Sequence, residues 1–450
     1  MNYYTKQHSR KERKDFVFYL RQFSRIFMGL LFIFSSYVKA VDPYGFSIKL
    51  EEYLVSFGLD FFTPLTMFLA ISAITAEFFI GVALLFNFQM RLTSWLLLLF
   101  MLFFFFLTFW LAYATDIVNI FNSLFHKNNQ IFVVTDCGCF GDFIKLTNKQ
   151  TFYKNVFFMV FTLIIFGQNK KYKKYDLFYI TQWLPLVIGL IFILFTQIHC
   201  LRHEPWHDFR PWFKGNFIAS ETYSEAPEMD YVFQYKHKKT NSIMELTTDD
   251  LISISDDSVK NADFENNYTY LDRKEKIIKK GMDAKLSDFA LTDILKQIDN
   301  KEIIITQRGF HFILFIRDAK KANLNNFNDI INFANTCLEN NIPFVAVTGS
   351  TPGEIQKFKT KYDIRFPIYF SDETPLKTAI RSNPGLILLK DGYVMDKWSF
   401  RDIPEFDEFK STIPKYNSKL KKYKTKTPPV LPNGINLDSI NYSSKTITNE

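Results

Sequence analysis

From Leu96 to Phe109 the chain runs without a single charge and without a polar stripe, which a soluble helix would show on its outer face. A helix rising 1.5 Å per residue needs roughly 20 mainly apolar residues to cross about 30 Å of hydrocarbon. Five runs meet that requirement, near 23–41, 65–87, 92–114, 152–167 and 178–199. The fourth is the shortest, but Tyr153, Lys154, Lys170 and Lys171 flank it as interfacial anchors. Up to about residue 200 the chain is therefore expected to be an all-α transmembrane helical bundle, with membrane lipid as its first partner. Beyond that point Lys, Asp, Asn and Thr replace Phe, Leu and Ile, so a second part faces water.

The net charge of +8 is unevenly placed. A basic arm over 1–22 carries Lys6, Arg10, Lys11, Arg13, Lys14 and Arg21. The short loop after the second run holds Arg91, and the loop after the fourth holds Lys170, Lys171, Lys173 and Lys174. All three fall on one side of a membrane, which the positive-inside rule makes cytoplasmic. Loops 42–64 and 115–151 and everything after residue 200 then lie outside. No small-residue cleavage site follows the first run, so it is expected to stay as an anchor. These charges flank apolar runs and form no basic face with base-reading residues, which excludes nucleic acid as a partner.

Three patterns belong together. The first run reads Arg25-Ile-Phe-Met-Gly29 through Lys39-Ala-Val-Asp42-Pro43. The second contains Ala76-Glu77-Phe-Phe-Ile-Gly81, and the loop before the fourth reads Thr135-Asp136-Cys137-Gly138-Cys139-Phe140-Gly141-Asp142. In that order they resemble the DoxX/MauE family of small membrane proteins, in its Bacteroidota branch with an appended thioredoxin-like domain. The resemblance covers about 22–167, and the Cys-Gly-Cys-Phe-Gly-Asp run is its most specific part. It implies a four-helix core, here with a fifth span added (23–200 in all), linked to redox or disulfide chemistry. It also implies a bacterial inner (plasma) membrane with the cysteine loop in the periplasm.

The residues can be read on their own terms. Cys137 and Cys139 sit in a loop expected to face an oxidising compartment. A single intervening Gly allows a small, strained and therefore labile ring. Asp136 and Asp142 would raise the thiol pKa unless a cation compensates, and Asp136 is a candidate proton acceptor. Exchange, a static staple and metal ligation remain open for the pair, and exchange is the favoured reading. No second Cys or His pair completes a tetrahedral set, so no metal is expected. Glu77 lies near the middle of the second span, where a carboxylate needs a partner. Lys39 and Arg25 are the candidates. Glu77 is then either a proton relay or a quinone-site residue with Lys39, or a polar contact that fixes helix packing.

The chain has four cysteines, and the other two are Cys200 and Cys337. All four fall on or near the outer side, so no thiol relay from the cytoplasm is available. Electrons from Cys137 and Cys139 must pass to a quinone or to another outer-side thiol protein. Cys200 is read as an unreactive interfacial residue.

Residues 201–284 form a connecting segment, partly β, in which Met229 to Tyr235 alternates as a strand. His203 and His207 are four apart, but Pro205 between them argues against a helical metal pair. From about 285 to 412, strands and helices alternate in a pattern that resembles the soluble α/β thioredoxin-like fold, with Pro384 at the cis-proline position and Asp391-Gly392 at a hairpin turn. Asp318-Ala-Lys-Lys stands where that family carries Cys-x-x-Cys, so the domain reads as degenerate. A peptide-binding surface at Asn383 and Pro384 follows from the resemblance alone. The tail 413–450 is basic, lacks hydrophobic periodicity and is expected to be disordered. Two functions compete. One is a membrane-anchored component of extracytoplasmic thiol–disulfide chemistry, with Cys137 and Cys139 exchanging and a quinone or partner protein as acceptor or donor. The other is a non-catalytic scaffold whose degenerate domain binds a periplasmic partner and whose cysteines form a structural disulfide.

Overall fold

The computed structural model describes residues 16–125, 134, 138, 141, 143–144, 146–172, 180–222, 228–279 and 284–426. Two compact units emerge. The first comprises 1–213 with the short segments 380–385 and 397–403, and the second comprises the remainder from Lys214.

In the first unit, α1 (Phe16–Ala40), α3 (Thr66–Leu85), α4 (Met90–Phe125), α5 (Asn148–Gly167) and α6 (Ile180–Arg202) are long and apolar enough to span a bilayer. The expected five spans are present, and the chain is a multi-pass membrane protein. Several exceed their expected bounds, among them α1, which starts at Phe16 and not near 23. Helix α4 continues past 114 to Phe125, and α5 starts at Asn148 because Thr147 and Gln150 form a reciprocal cap.

Helices α1 and α3 cross closely at two glycines. A Cβ on Gly81 would stand 2.9 Å from the Ile33 backbone nitrogen, and one on Gly29 would stand 3.1 Å from the Gly81 carbonyl. Small residues at such a crossing let backbones approach and gain dispersion contact, since lipid offers no hydrophobic drive between helices.

Loop 42–64 holds an unexpected helix, α2 (Pro43–Ser56). Asp42 caps it by accepting from the Gly45 amide at 3.0 Å, and Pro43 occupies its first turn. Phe46, Leu50 and Tyr53 recur at helical spacing, and Phe46 and Tyr53 are buried. A search for long apolar runs passes over such a short amphipathic helix.

The second unit holds two sheets. Strands β1 (Glu228–His237), β2 (Ile243–Thr247) and β3 (Tyr268–Lys279) pair antiparallel in the order β2-β1-β3. Helices α7 (Thr248–Ser255) and α8 (Ser258–Asn267) lie between the second and third strands in sequence. After α9 (Lys301–Ile305) comes the thioredoxin-like part. Its elements are β4 (Phe310–Ile316), α10 (Phe327–Glu339), β5 (Phe344–Thr348), α11 (Pro352–Tyr362), β6 (Ile368–Phe370), α12 (Glu373–Ala379), β7 (Gly385–Lys390) and β8 (Tyr393–Ser399).

The sheet order is β6-β5-β4-β7-β8, with β4, β5 and β6 parallel. Strands β4 and β5 are buried almost throughout, as a sheet covered on both faces requires. Asp391 and Gly392 turn β7 into β8 at φ of 48° and 78°, and the Asn383–Pro384 peptide is cis. Residues 215–218, expected only as a connector, extend this sheet at β8. The Gly215 amide donates to the Val394 carbonyl at 2.7 Å, and the Val394 amide donates to the Asn216 carbonyl at 3.0 Å.

The expectation of disorder from residue 413 fails over its first part. Phe406–Lys426 is a helix, α13. Its Phe409, Tyr416 and Leu420 share one buried face, and the Tyr416 hydroxyl donates to Asp396 at 2.9 Å. The density of Lys masks this stripe in the sequence. Residues 427–450 lie outside the described residues.

Candidate functional site

Glu77 and Lys39 meet inside the first unit. Lys39, in the last turn of α1, donates to Glu77 Oε2 of α3 at 2.6 Å, and the two side chains are only 4% and 7% exposed. The ammonium also sits 5.4 Å from the Phe46 ring centroid and 5.9 Å from that of Phe104. Arg25, the other partner considered for Glu77, is engaged elsewhere. Its guanidinium donates to the Leu84 and Leu85 carbonyls at 2.5 and 2.9 Å and to Gln22 Oε1 at 3.1 Å. It thereby caps the negative end of α3.

A cavity of about 40 Å³ adjoins the pair, with Ser35, Phe104, Lys154, Asn155 and Phe158 among its lining residues. That is room for roughly two or three waters. The Asn155 amide donates to Thr108 Oγ1 at 3.1 Å, and Thr108 donates to the Phe104 carbonyl at 2.7 Å, so polar groups continue along this wall. The arrangement sets a buried charge pair beside water-sized space.

Cys137, Cys139, Asp136 and Asp142 lie outside the described residues, but their neighbours do not. The Gly141 amide donates to the Gly138 carbonyl at 3.0 Å, and both glycines have positive φ, 51° and 56°. Gly138 lies against Lys49 of α2: a Cβ there would stand 3.0 Å from Lys49 Cγ. Gly141 lies against Val38, the residue before Lys39, at 3.6 Å by the same measure. Val134 is buried beside Tyr53 and Leu107, and its carbonyl accepts from the Asn148 amide at 2.6 Å. Phe143 packs edge-on against Phe34 at 5.4 Å. The described flanks of the loop therefore rest on the end of α1 and on α2.

The remaining cysteines are buried. Cys200 lies in α6, and Cys337 lies in α10 with its thiol pushed up to about 12 by burial. A thiol so placed is neutral at physiological pH and a poor nucleophile.

A second charged constellation in the first unit escaped the sequence reading. Asp208 accepts from Arg210 Nε and Nη2 at 2.7 and 2.9 Å and from Lys397 at 2.6 Å. Glu204 stands 3.7 and 3.6 Å from the same two cations. Asp42 accepts from Arg381 at 2.6 and 2.9 Å. Burial alone would push both aspartates up. Arg210 and Lys397 outweigh it at Asp208, and Arg381 with Arg210 outweighs it at Asp42, so both carboxyls lie below the usual range. Three carboxylates face three cations, and such a balanced cluster holds segments together. Glu204, Asp208 and Arg210 are close in sequence, but Asp42, Arg381 and Lys397 are far from them, so no spacing reveals the cluster.

Pro384 is buried and Asn383 half-buried. The Ser382 hydroxyl donates to the Pro384 carbonyl at 2.5 Å and accepts from the Phe400 amide at 3.2 Å. His203 pairs with Asp402 at 2.7 Å, and His207 Nδ1 lies 3.1 Å from the Tyr37 hydroxyl, so the two histidines serve separate contacts. Among the described residues no group of His, Cys, Asp and Glu is arranged to hold a metal.

No curated protein sequence matches the chain. Among solved structures, a solution structure described as a thioredoxin from Neisseria meningitidis aligns at 16% identity over 32% of this chain and 95% of its own, with a TM-score of 0.25. The DoxX family profile matches the segment that contains α1, α2, α3, the Lys39–Glu77 pair and the first half of α4. Residues 20–110 of this membrane protein are a DoxX-family domain.

Proposed function

We propose that the protein is a membrane-anchored component of thiol–disulfide chemistry on the outer face of a bacterial inner membrane, with Cys137 and Cys139 as the exchanging pair. The observation that carries this reading is the seating of the loop's described residues. Gly138 and Gly141 form a tight turn against Lys49 and Val38, one residue from the buried Lys39–Glu77 pair. The other two cysteines are buried, which leaves this pair for exchange.

In the reaction, the Cys137–Cys139 disulfide is attacked by a client thiolate, and a mixed disulfide forms. The client's second thiolate then displaces the cysteine. Two electrons enter the pair, and the client's two protons pass to the Cys137 and Cys139 thiolates, leaving a dithiol. The pair is re-oxidised by passing two electrons and two protons to a membrane quinone, giving the quinol, or by exchange with the disulfide of a partner protein. The water-sized space beside Glu77 favours an acceptor that meets the loop from outside the bundle. Lys49 lies beside the turn with its ammonium paired to Glu52 at 2.9 Å. Glu77 with Lys39 gives protons a place to rest near the described end of the loop.

The test uses the purified, oxidised full-length chain and a reduced dithiol peptide, whose free thiols are counted over time. Wild type, Cys200→Ser and Cys337→Ser should oxidise the peptide, and Cys137→Ser and Cys139→Ser should not. Peptide thiols that persist with wild type would leave the cysteines as a staple and the protein as a scaffold.

A further inference from the structure

At the end of the bundle opposite the Lys39–Glu77 end of α1, three donor atoms have no hydrogen-bond acceptor among the described residues. Arg21 of α1 is only 9% exposed, and its Nε has no partner. Tyr172, just beyond the turn Asn169–Lys171 that follows α5, is 6% exposed, and its hydroxyl has none either. Arg91, in the first turn of α4, has an unpartnered Nε, while its Nη2 donates to the Lys170 carbonyl at 3.3 Å. These groups are neighbours. The Arg21 guanidinium lies 5.0 Å from the Tyr172 ring centroid, and Arg91 is tied to the same turn.

Among the described residues no carboxylate pairs with Arg21. Arg25, one turn along, is occupied by the α3 carbonyls and Gln22. The described residues 16–40, 84–115 and 146–172 contain no Asp or Glu. A buried cation softened only by an aromatic face remains costly without an anion. Burial pushes the Tyr172 phenol up to about 12 against the opposing effect of Arg21 and Arg25, so its hydroxyl remains a donor.

The surroundings indicate which anion fits. Phe23 packs on Phe161 of α5 at 6.1 Å and Trp95 on Phe166 at 4.6 Å, and Phe23, Leu92 and Trp95 are all more than half exposed. Donors for a phosphate and apolar side chains for acyl tails thus occur at one helix end. Basic pockets between spanning helices recognise anionic headgroups in this way, and Arg suits phosphate by its forked donors. We propose that Arg21, Tyr172 and Arg91 bind the phosphate of an anionic phospholipid.

The experiment measures lipid binding to the delipidated full-length chain in neutral detergent, with phosphatidylglycerol, diacylglycerol and inorganic phosphate as separate probes. Phosphatidylglycerol should bind wild type and bind Arg21→Gln roughly ten-fold more weakly, as expected for a lost charge-assisted hydrogen bond. Tyr172→Phe removes one oxygen and leaves the packing in place. It should weaken binding about three-fold, which keeps the test valid even if Arg21→Gln does not fold. Diacylglycerol and inorganic phosphate should bind wild type far less well. Unchanged phosphatidylglycerol affinity in Tyr172→Phe, or diacylglycerol binding as tight as phosphatidylglycerol, would overturn the proposal. Inorganic phosphate binding as tightly as the lipid would make this a soluble-anion site and would equally overturn it.

Discussion

Removing one member of the Lys39–Glu77 pair strands the other in a low-dielectric setting, so the single substitutions should be worse than the double one. Glu77→Met or Lys39→Met is expected to cost about 3–5 kcal/mol of stability, and making both replacements together should recover most of it. Chemical denaturation of the four proteins in detergent gives the coupling directly, and additive losses would mean that the contact is not a pair in the folded protein. In the second unit, His311 of β4 is fully buried and burial depresses it to about 4. Its folded pKa lies below the ordinary 6.5, so the unfolded state binds the proton first. Its neutral form is fully compatible with folding above about pH 6.5, and stability is lost as pH falls from 6.5 to 4, by about 3 kcal/mol in all. The apparent Tm of the thioredoxin-like unit should therefore drop between pH 7 and 5. His311→Leu should flatten that drop, and an unchanged slope would rule the residue out as its source.

At the level of elements, the α1–α3 crossing depends on two glycines, so Gly81→Val must push the helices apart or displace the Ile33 backbone. A loss of about 1–3 kcal/mol is expected, read as a lower unfolding midpoint. Gly167→Ala, where a Cβ meets open space, serves as the neutral control. The five spans were legible because uninterrupted hydrophobicity is a local property. The alternation of β4 to β8, the turn at Asp391-Gly392 and the position of Pro384 were legible for the same reason. Helix α2 was hidden by its shortness, and α13 by lysines around a sparse apolar stripe. Glu77 announced its need for a partner, and Lys39 was one of two candidates. Only the packing of α1 on α3 decided between it and Arg25, which reaches the α3 terminus instead. The Asp42–Arg381 and Asp208–Lys397 contacts join residues 339 and 189 positions apart and leave no periodic trace. The unpartnered Nε of Arg21 is likewise a matter of burial, and the sequence records only its charge.

For the molecule as a whole, a DoxX-family domain within a five-span bundle precedes a thioredoxin-like unit that has no Cys-x-x-Cys, and the two described cysteines are buried. The proposed function assigns the thiol chemistry to the loop whose glycines rest on Val38 and Lys49, which makes the redox behaviour of that loop decisive. The direct measurement is a redox titration of Cys137 and Cys139 in the purified full-length protein, read by thiol alkylation across a series of dithiol buffers, with and without a quinone. The account predicts a reversible two-electron couple with a midpoint above roughly −250 mV, in the range of catalytic disulfides, re-oxidised by quinone or by a partner disulfide. A disulfide that stays closed to about −300 mV and below, indifferent to either oxidant, would contradict it and leave a stapled loop in a membrane scaffold.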